Sequence, residues 1–331
     1  MLPSSVLEPG ALNSACFESP EYRIQFEIYL DGLISNGLLV FDSRKKLLDL
    51  IKKELSNLPT KFRQGIQIKL EEVIKGNKKR LVVSRVGKGE NEGRDLAYMV
   101  HSQAGTDWMV ASHTSIEVFK KNRVLKSSIV PMAGYYESDL ESGRKFFMEN
   151  YPNIDRLEGG EPREVFKKDL EQLLRFAKWI RIYDRQIGKC KINADINRFR
   201  NGIEFILGAW QKGYFAKDSE CKVEIITGPF YERGIKKQHS QIGKLKNNLV
   251  KPLRKKFSWP IDLLVKKWDR EVFLGENNQF HPRHLQTQSA VVLFERGFDF
   301  LKENGDLKKS IVKIDNPSKQ PLAELYDLPE Y

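Results

Sequence analysis

Cysteine is scarce in this chain of 331 residues: Cys16, Cys190 and Cys221 are odd in number and too widely spaced for a disulfide framework. No C-x-x-C is present and the five histidines show no zinc-ligand spacing with a cysteine partner, so a structural zinc site is not expected. The simplest setting for such thiols is a reducing cytoplasm. No apolar run approaches the roughly 20 residues of a membrane-spanning helix. The opening Met1-Leu2-Pro3-Ser4-Ser5-Val6 lacks the basic-then-apolar order of an export signal. Internal repeats, low-complexity tracts, a Gly-rich phosphate loop and a Gly-x-Ser-x-Gly elbow are also absent, which argues against solenoids, P-loop chemistry and α/β-hydrolase chemistry.

Acidic residues are in deficit. Lys and Arg number 56 against 44 Asp and Glu, a formal charge of +12 with a pI near 9.4. Such an excess favours a polyanionic partner, nucleic acid or an acidic membrane surface. The basic clusters Lys45-Lys46, Lys52-Lys53, Lys78-Lys79-Arg80, Lys120-Lys121 and Arg254-Lys255-Lys256 are dispersed along the chain. Any one of them reads first as a solvated helix face; it is their sum that points to a partner. Lys78, Lys79, Arg80, Arg254, Lys255 and Lys256 are the candidate nucleic-acid contacts.

Among the features present, Gly37-Leu38-Leu39-Val40-Phe41-Asp42-Ser43 stands out as an apolar strand that ends on a carboxylate. From Arg44 the period changes, with Leu47, Leu48, Ile51 and Leu55 on one helical face. A carboxylate at the carboxyl end of a strand is where open α/β sheets bind ligands and metals. Two further acids sit at predicted element ends: Asp95 opens the run Leu96-Ala97-Tyr98-Met99-Val100, and Asp107 precedes Trp108-Met109-Val110-Ala111. Asp95 alone reads as a helix cap. Three carboxylates from different elements are what a hard divalent cation requires, so Asp42, Asp95 and Asp107 are the candidate Mg²⁺ or Mn²⁺ ligands and catalytic residues. His101 and His113 flank Asp107.

Residues 20–135 resemble the PIN-like nuclease domains. In that family a first Asp ends strand one, as Asp42 is expected to do, and a later Asp opens a segment similar to Gly105-Thr106-Asp107-Trp108-Met109-Val110-Ala111-Ser112. The family's Thr-x-Asp after that strand is Ser112-His113-Thr114 here, so its last acid is missing or replaced, and Glu54, Glu71 and Glu72 compete for the middle Glu. The resemblance implies a parallel sheet with flanking helices over 20–150 and metal-dependent cleavage of phosphodiesters.

Pro and Gly with polar residues between Tyr151 and Pro162 mark a boundary. Beyond it, helices are predicted around Phe166–Ala177, Ile196–Leu207 and Ile242–Leu253, alternating with strands at Ile180–Tyr183, Lys222–Thr227, Ile261–Val265 and Ala290–Phe294. Alternation of this kind predicts an α/β sandwich on a mixed sheet. Ile182-Tyr183-Asp184-Arg185, the strand Val223–Thr227, Phe280-His281-Pro282-Arg283 and Glu295-Arg296-Gly297-Phe298-Asp299-Phe300 together resemble the phospholipase D-like domain found at the C-terminus of MIT-domain proteins and in bacterial relatives. The resemblance covers about 163–305 of a domain expected over 163–331, and implies Asp184, His281 and Arg283 as motif residues. A working site needs two His-x-Lys-x4-Asp halves, one His attacking phosphorus and the other protonating the leaving oxygen. This chain offers a single half-site, His281-x-Arg283, with Arg283 for Lys and Gln288 where the Asp would fall, which argues for a noncatalytic domain.

The expectation is therefore two α/β domains, PIN-like then phospholipase D-like, acting as a Mg²⁺- or Mn²⁺-dependent nuclease. The pairing is similar in architecture to effectors of bacterial antiphage defence, as a homo-oligomer or as a subunit of a defence complex. The competing expectation is a noncatalytic assembly protein, built from degenerate nuclease-like folds, that docks on nucleic acid, a membrane or partner subunits. A third is a phosphodiesterase that uses His281 across a dimer.

Overall fold

The computed structural model describes residues 4–76, 80–87, 93–124, 126, 128–132, 163–189, 195–228, 235–267, 283–302, 304–308, 312–315 and 322–330. The chain is mixed α/β and divides into two compact units, Met1–Pro152 and Asn153–Tyr331.

In the first unit β1 (Ser4–Leu7), β2 (Leu38–Phe41), β3 (Leu81–Val83), β4 (Trp108–Ala111) and β5 (Ile129–Pro131) form one parallel sheet in the order β3-β2-β1-β4-β5. Parallel neighbours need crossovers, and helices supply them. These are α1 (Pro20–Asn36), α2 (Lys46–Asn57) with α3 (Thr60–Lys75), α4 (Gly93–Ala104) and α5 (His113–Lys121). Every residue of β1 and β2 is buried, as expected of a sheet covered on both faces. Leu47, Leu48, Ile51 and Leu55 are buried on α2, as their spacing predicts. The strand that organises the sheet is β1, which lies ahead of the 20–150 stretch expected for this domain. It pairs Ser5 with both Leu39 and Trp108, and its Ser5 Oγ meets Tyr29 Oη of α1 at 2.8 Å.

The second unit holds β6 (Trp179–Asp184), β7 (Lys222–Thr227), β8 (Ile261–Val265), β9 (Arg283–Gln286), β10 (Val291–Phe294) and β11 (Val312–Asp315) in the order β11-β10-β9-β6-β7-β8. β6, β7 and β8 are parallel, while β9, β10 and β11 join antiparallel, so the sheet is mixed. Strand alternation gives it two apolar faces. Phe294 points to the face where α6 (Arg163–Leu174) and α8 (Ile196–Trp210) pack, and Phe166 of α6 contacts Phe205, Phe294 and Phe300 at 5.8, 6.4 and 5.8 Å. Val291, three residues from Phe294, points to the other face. There Tyr183, Ile226 and Val291 pack on Leu322 of the last helix, α11 (Leu322–Asp327). A short α7 (Arg185–Lys189) follows β6. Between β7 and β8 run α9 (Ile235–Leu245), a π-helical turn Lys246–Val250 and α10 (Lys251–Phe257). Trp210 is wholly buried in the core and donates from Nε1 to the Ala177 carbonyl.

Among the described residues no helix is long and apolar enough to cross a membrane. Phe166→Ala, which empties the centre of the aromatic cluster, is expected to lower stability by about 3–5 kcal/mol in chemical denaturation. Its exposed neighbour Val165→Ala is expected to change stability by no more than about 0.5 kcal/mol. Equal effects would remove the cluster from the core.

Candidate functional sites at the strand ends

In the first unit the chain runs outward from β1 to β2 and β3, then returns to the other side of β1 as β4 and β5. Strand order reverses between β1 and β4, and the crevice outside the carboxyl ends at such a switch point is the usual ligand site. Asp42 follows β2 at this edge but is wholly buried and fully engaged. Its Oδ2 accepts from the backbone N–H groups of Arg44 and Lys46, both at 3.0 Å, and its Oδ1 accepts from Leu47 N–H at 2.8 Å. The first two N–H donors of α2 and one of the turn before it are thereby satisfied, with Lys45 in the left-handed conformation (φ 59°) to bring them round.

Asp95 lies at the same edge, because α4 leads from the end of β3. It sits in the first turn, is exposed, and pairs with Arg94 Nε at 3.0 Å. Gly87, at φ 109°, fits between these two elements: a Cβ there would lie 3.0 Å from Asp42 Cβ and 3.6 Å from Leu96 Cδ1.

Asp107 is at the opposite edge. It precedes β4 and accepts from Ser4 N and Ser4 Oγ, both at 2.8 Å, tying the beginnings of β1 and β4 together. A four-residue strand is roughly 13 Å long, whereas ligands at about 2.0–2.6 Å from one cation must lie within a few ångströms of each other. The expected Asp42, Asp95 and Asp107 set therefore does not converge, and it does not fit one Mg²⁺ or Mn²⁺. Among the described residues no group of three or more His, Cys, Asp or Glu side chains gathers in a metal-binding arrangement. His101 does not join the acids either. Its ring nitrogens meet Thr106 Oγ1 at 2.8 Å and Ser128 Oγ at 2.9 Å, and burial, aided by Lys126, pushes its pKa down to about 4.

Strand one ends on an acid that sequence reasoning missed. Glu8 follows β1 at the switch point, is buried, and accepts from Ser112 N–H at 2.7 Å through Oε2. Its backbone N–H continues the ladder to the Val110 carbonyl. Gly10 admits the carboxylate, since a Cβ there would lie 2.5 Å from Glu8 Oε1. The turn signal Glu8-Pro9-Gly10 after a short run was available in the sequence. Ser4 and Ser5, buried in the strand, disguised the run.

In the second unit, Asp184 and Arg283 are brought together as register partners of β6 and β9. Asp184 is buried. Its Oδ1 accepts from Gln186 N–H at 2.8 Å and its Oδ2 from Phe298 N–H at 3.0 Å. Gly297, at φ 68°, permits that approach, because a Cβ would stand 2.4 Å from Asp184 Oδ2. Two motif fragments far apart in sequence thus meet at one carboxylate. Arg283 Nη1 donates to the Glu295 carbonyl of the same loop. His281 lies outside the described residues.

The candidate nucleic-acid contacts divide. Lys78 and Lys79 lie outside the described residues. Arg80 is a correction: it is buried, donates from Nη2 to the Ser35 carbonyl at 2.8 Å, and burial lowers its pKa to about 10, so it holds the end of α1 rather than facing a partner. Arg254, Lys255 and Lys256 are exposed on α10. Arg254 Nη2 pairs with Asp262 at 3.0 Å and Lys256 with Glu204 at 2.7 Å. Lys255 has no acid partner among the described residues.

Asp42→Ala leaves three N–H groups without their acceptor and is expected to cost on the order of 2–4 kcal/mol, read as a fall in denaturation midpoint. Asp95→Ala is expected to cost no more than about 1 kcal/mol. Asp184 gives a pH test. Burial first, opposed by the Phe298 and Gln186 N–H groups and by Arg283, raises its pKa from 3.8 to about 6. The folded state thus holds this proton more tightly, so the group's stabilising contribution is present below 3.8 and is lost as pH rises through about 6. The stability deficit of Asp184→Asn relative to the unsubstituted protein should therefore be larger near pH 4 than near pH 7, by on the order of 1–3 kcal/mol. An equal deficit at both would count against the raised pKa. Comparison with known proteins finds no matching family model and no matching curated protein.

Proposed function

We propose that this chain is a noncatalytic, polyanion-binding assembly protein whose partner is nucleic acid held through its phosphates. The first unit, a parallel sheet with flanking helices, is read as PIN-like and the second, a mixed-sheet sandwich, as phospholipase D-like. Both are taken to be degenerate as nucleases. One observation carries this reading: the strand-end acids Asp42 and Asp184, expected to serve chemistry or a motif, are buried and bonded to backbone N–H groups. A carboxylate in that state is a structural cap. The surplus of +12 remains to be accounted for, and charge attraction to phosphate accounts for it without base readout.

A second reading, metal-dependent hydrolysis, is favoured by Glu8, which ends strand one where the PIN-like resemblance puts its first acid. Glu8, Asp42 and Asp95 share the carboxyl edge, although Asp42 would have to release its backbone partners to take part.

Purified protein should bind single-stranded DNA and RNA of mixed sequence, with log K falling linearly in log salt and little dependence on base order. It should leave both uncut with Mn²⁺ or with chelator. Cleavage that chelator stops and Glu8→Gln abolishes in a folded protein would install the second reading in its place. Failure to bind nucleic acid at low salt would remove the proposal.

A further inference from the structure

The π-helical turn Lys246–Val250 interrupts what the sequence pattern presents as one helix. Such turns are rare and recur at functional sites. This one changes which cations face the same way. In an α-helix at 3.6 residues per turn, residues five apart are about 140° apart around the axis. Here Lys251 N–H bonds to the Lys246 carbonyl, the i to i+5 bond of a π-turn, which stacks Lys246 and Lys251 on one side. Lys255 continues the stripe one α-turn further on.

The stripe borders a cavity of about 440 Å³ between the π-turn and the edge strand β8, within the roughly 300–1,000 Å³ of small-ligand pockets. Lys246, Asn247, Lys251 and Arg254 line one side, and Asp262, Leu263 and Leu264 the other. Asp262, the one acid in the lining, is paired with Arg254. Lys246 and Lys251 have no acid partner among the described residues. Two like charges side by side repel, so the turn gathers cations at a cost that an anion between them would offset.

The backbone adds a donor. Val223 N–H bonds to Pro260 O and Lys266 N–H to Thr227 O, so even-numbered residues of β8 face β7 and odd-numbered peptides face the open edge. On that edge Arg254 Nε covers the Ile261 carbonyl at 2.8 Å, and Lys267 N–H is taken by the Pro329 carbonyl of the C-terminal segment. The Leu263 peptide lies between these two covered points, on the cavity side. Two ammonium groups, a side-chain amide and a peptide edge, with Val250 and Leu264 as apolar lining, suit a phosphodiester and its sugar.

Resting on the polyanion-binding reading, we infer that the cavity between the π-turn and β8 is a phosphodiester-binding site for single-stranded nucleic acid, with Lys246 and Lys251 as its phosphate clamp and Lys255 on the path of the next phosphate. The test uses the full chain, a fluorescein-labelled single-stranded DNA oligonucleotide of mixed sequence, and anisotropy across a salt series. Lys246→Gln/Lys251→Gln should weaken low-salt binding about tenfold and shallow the log K against log salt slope by about 1.4, the value for two phosphate contacts on a single strand. Lys246→Arg/Lys251→Arg should restore both. Lys52→Gln/Lys53→Gln, which removes the same charge from α2, should change affinity less than about twofold. Equal losses in the two Gln pairs overturn the site and leave dispersed polyanion binding standing. Absence of DNA binding in the unsubstituted protein overturns both, as does binding to phosphatidylserine vesicles alone. Thermal melting of each variant identifies any loss that comes from unfolding, and a Gln pair that unfolds is replaced by the single substitutions, each expected to give half the slope change.

Discussion

A carboxylate buried at the end of a strand must find hydrogen-bond donors, because an ion withdrawn from water without them is far too costly to keep. Three places in this protein meet that demand in the same way. Asp42 accepts three backbone N–H groups, Asp184 two and Glu8 one from the chain beyond β4. Each bond fixes the path of chain where it leaves the sheet, and each removes lone pairs from other use. Position at a strand end and availability for chemistry are therefore separate properties. The first was inferred from sequence; the second depends on where the neighbouring N–H groups point.

The same constraint explains the glycines at these ends. Gly10, Gly87 and Gly297 each approach a carboxylate side chain so closely that a Cβ would stand 2.5, 3.0 or 2.4 Å from it. Gly87 and Gly297 also have positive φ, which a side chain disfavours. In the second unit this gives physical content to a run such as Glu295-Arg296-Gly297-Phe298, since the Gly clears the path by which Phe298 N–H reaches Asp184. The run is thus accounted for by the loop it builds, with no chemistry required of it.

Element type was legible wherever period and length agreed. α2 buries the four residues its spacing selects, and β7 runs over Lys222–Thr227 as read. The central strand β1 was not legible, because two of its four residues are serines, and their burial depends on partners such as Tyr29 and Asp107 that are distant in sequence. That omission displaced the site. With β1 unseen, Asp42 was assigned to strand one, and Asp107 was grouped with it although parallel topology places the two at opposite edges of the sheet. Arg80 failed for a related reason: a Lys-Lys-Arg run looks solvated until the fold buries its last member against Ser35.

Surface charge resists sequence reading in a different way. Arg254-Lys255-Lys256 is conspicuous as a run, yet adjacent helical residues point in different directions, and two of the three meet acids. Lys246 and Lys251 are inconspicuous, five apart in a helix-forming stretch, and only the i to i+5 bond aligns them. A local change in helical winding therefore decides which cations act together. Net charge is a property of the whole composition; the winding of one turn sets which of its cations share a face.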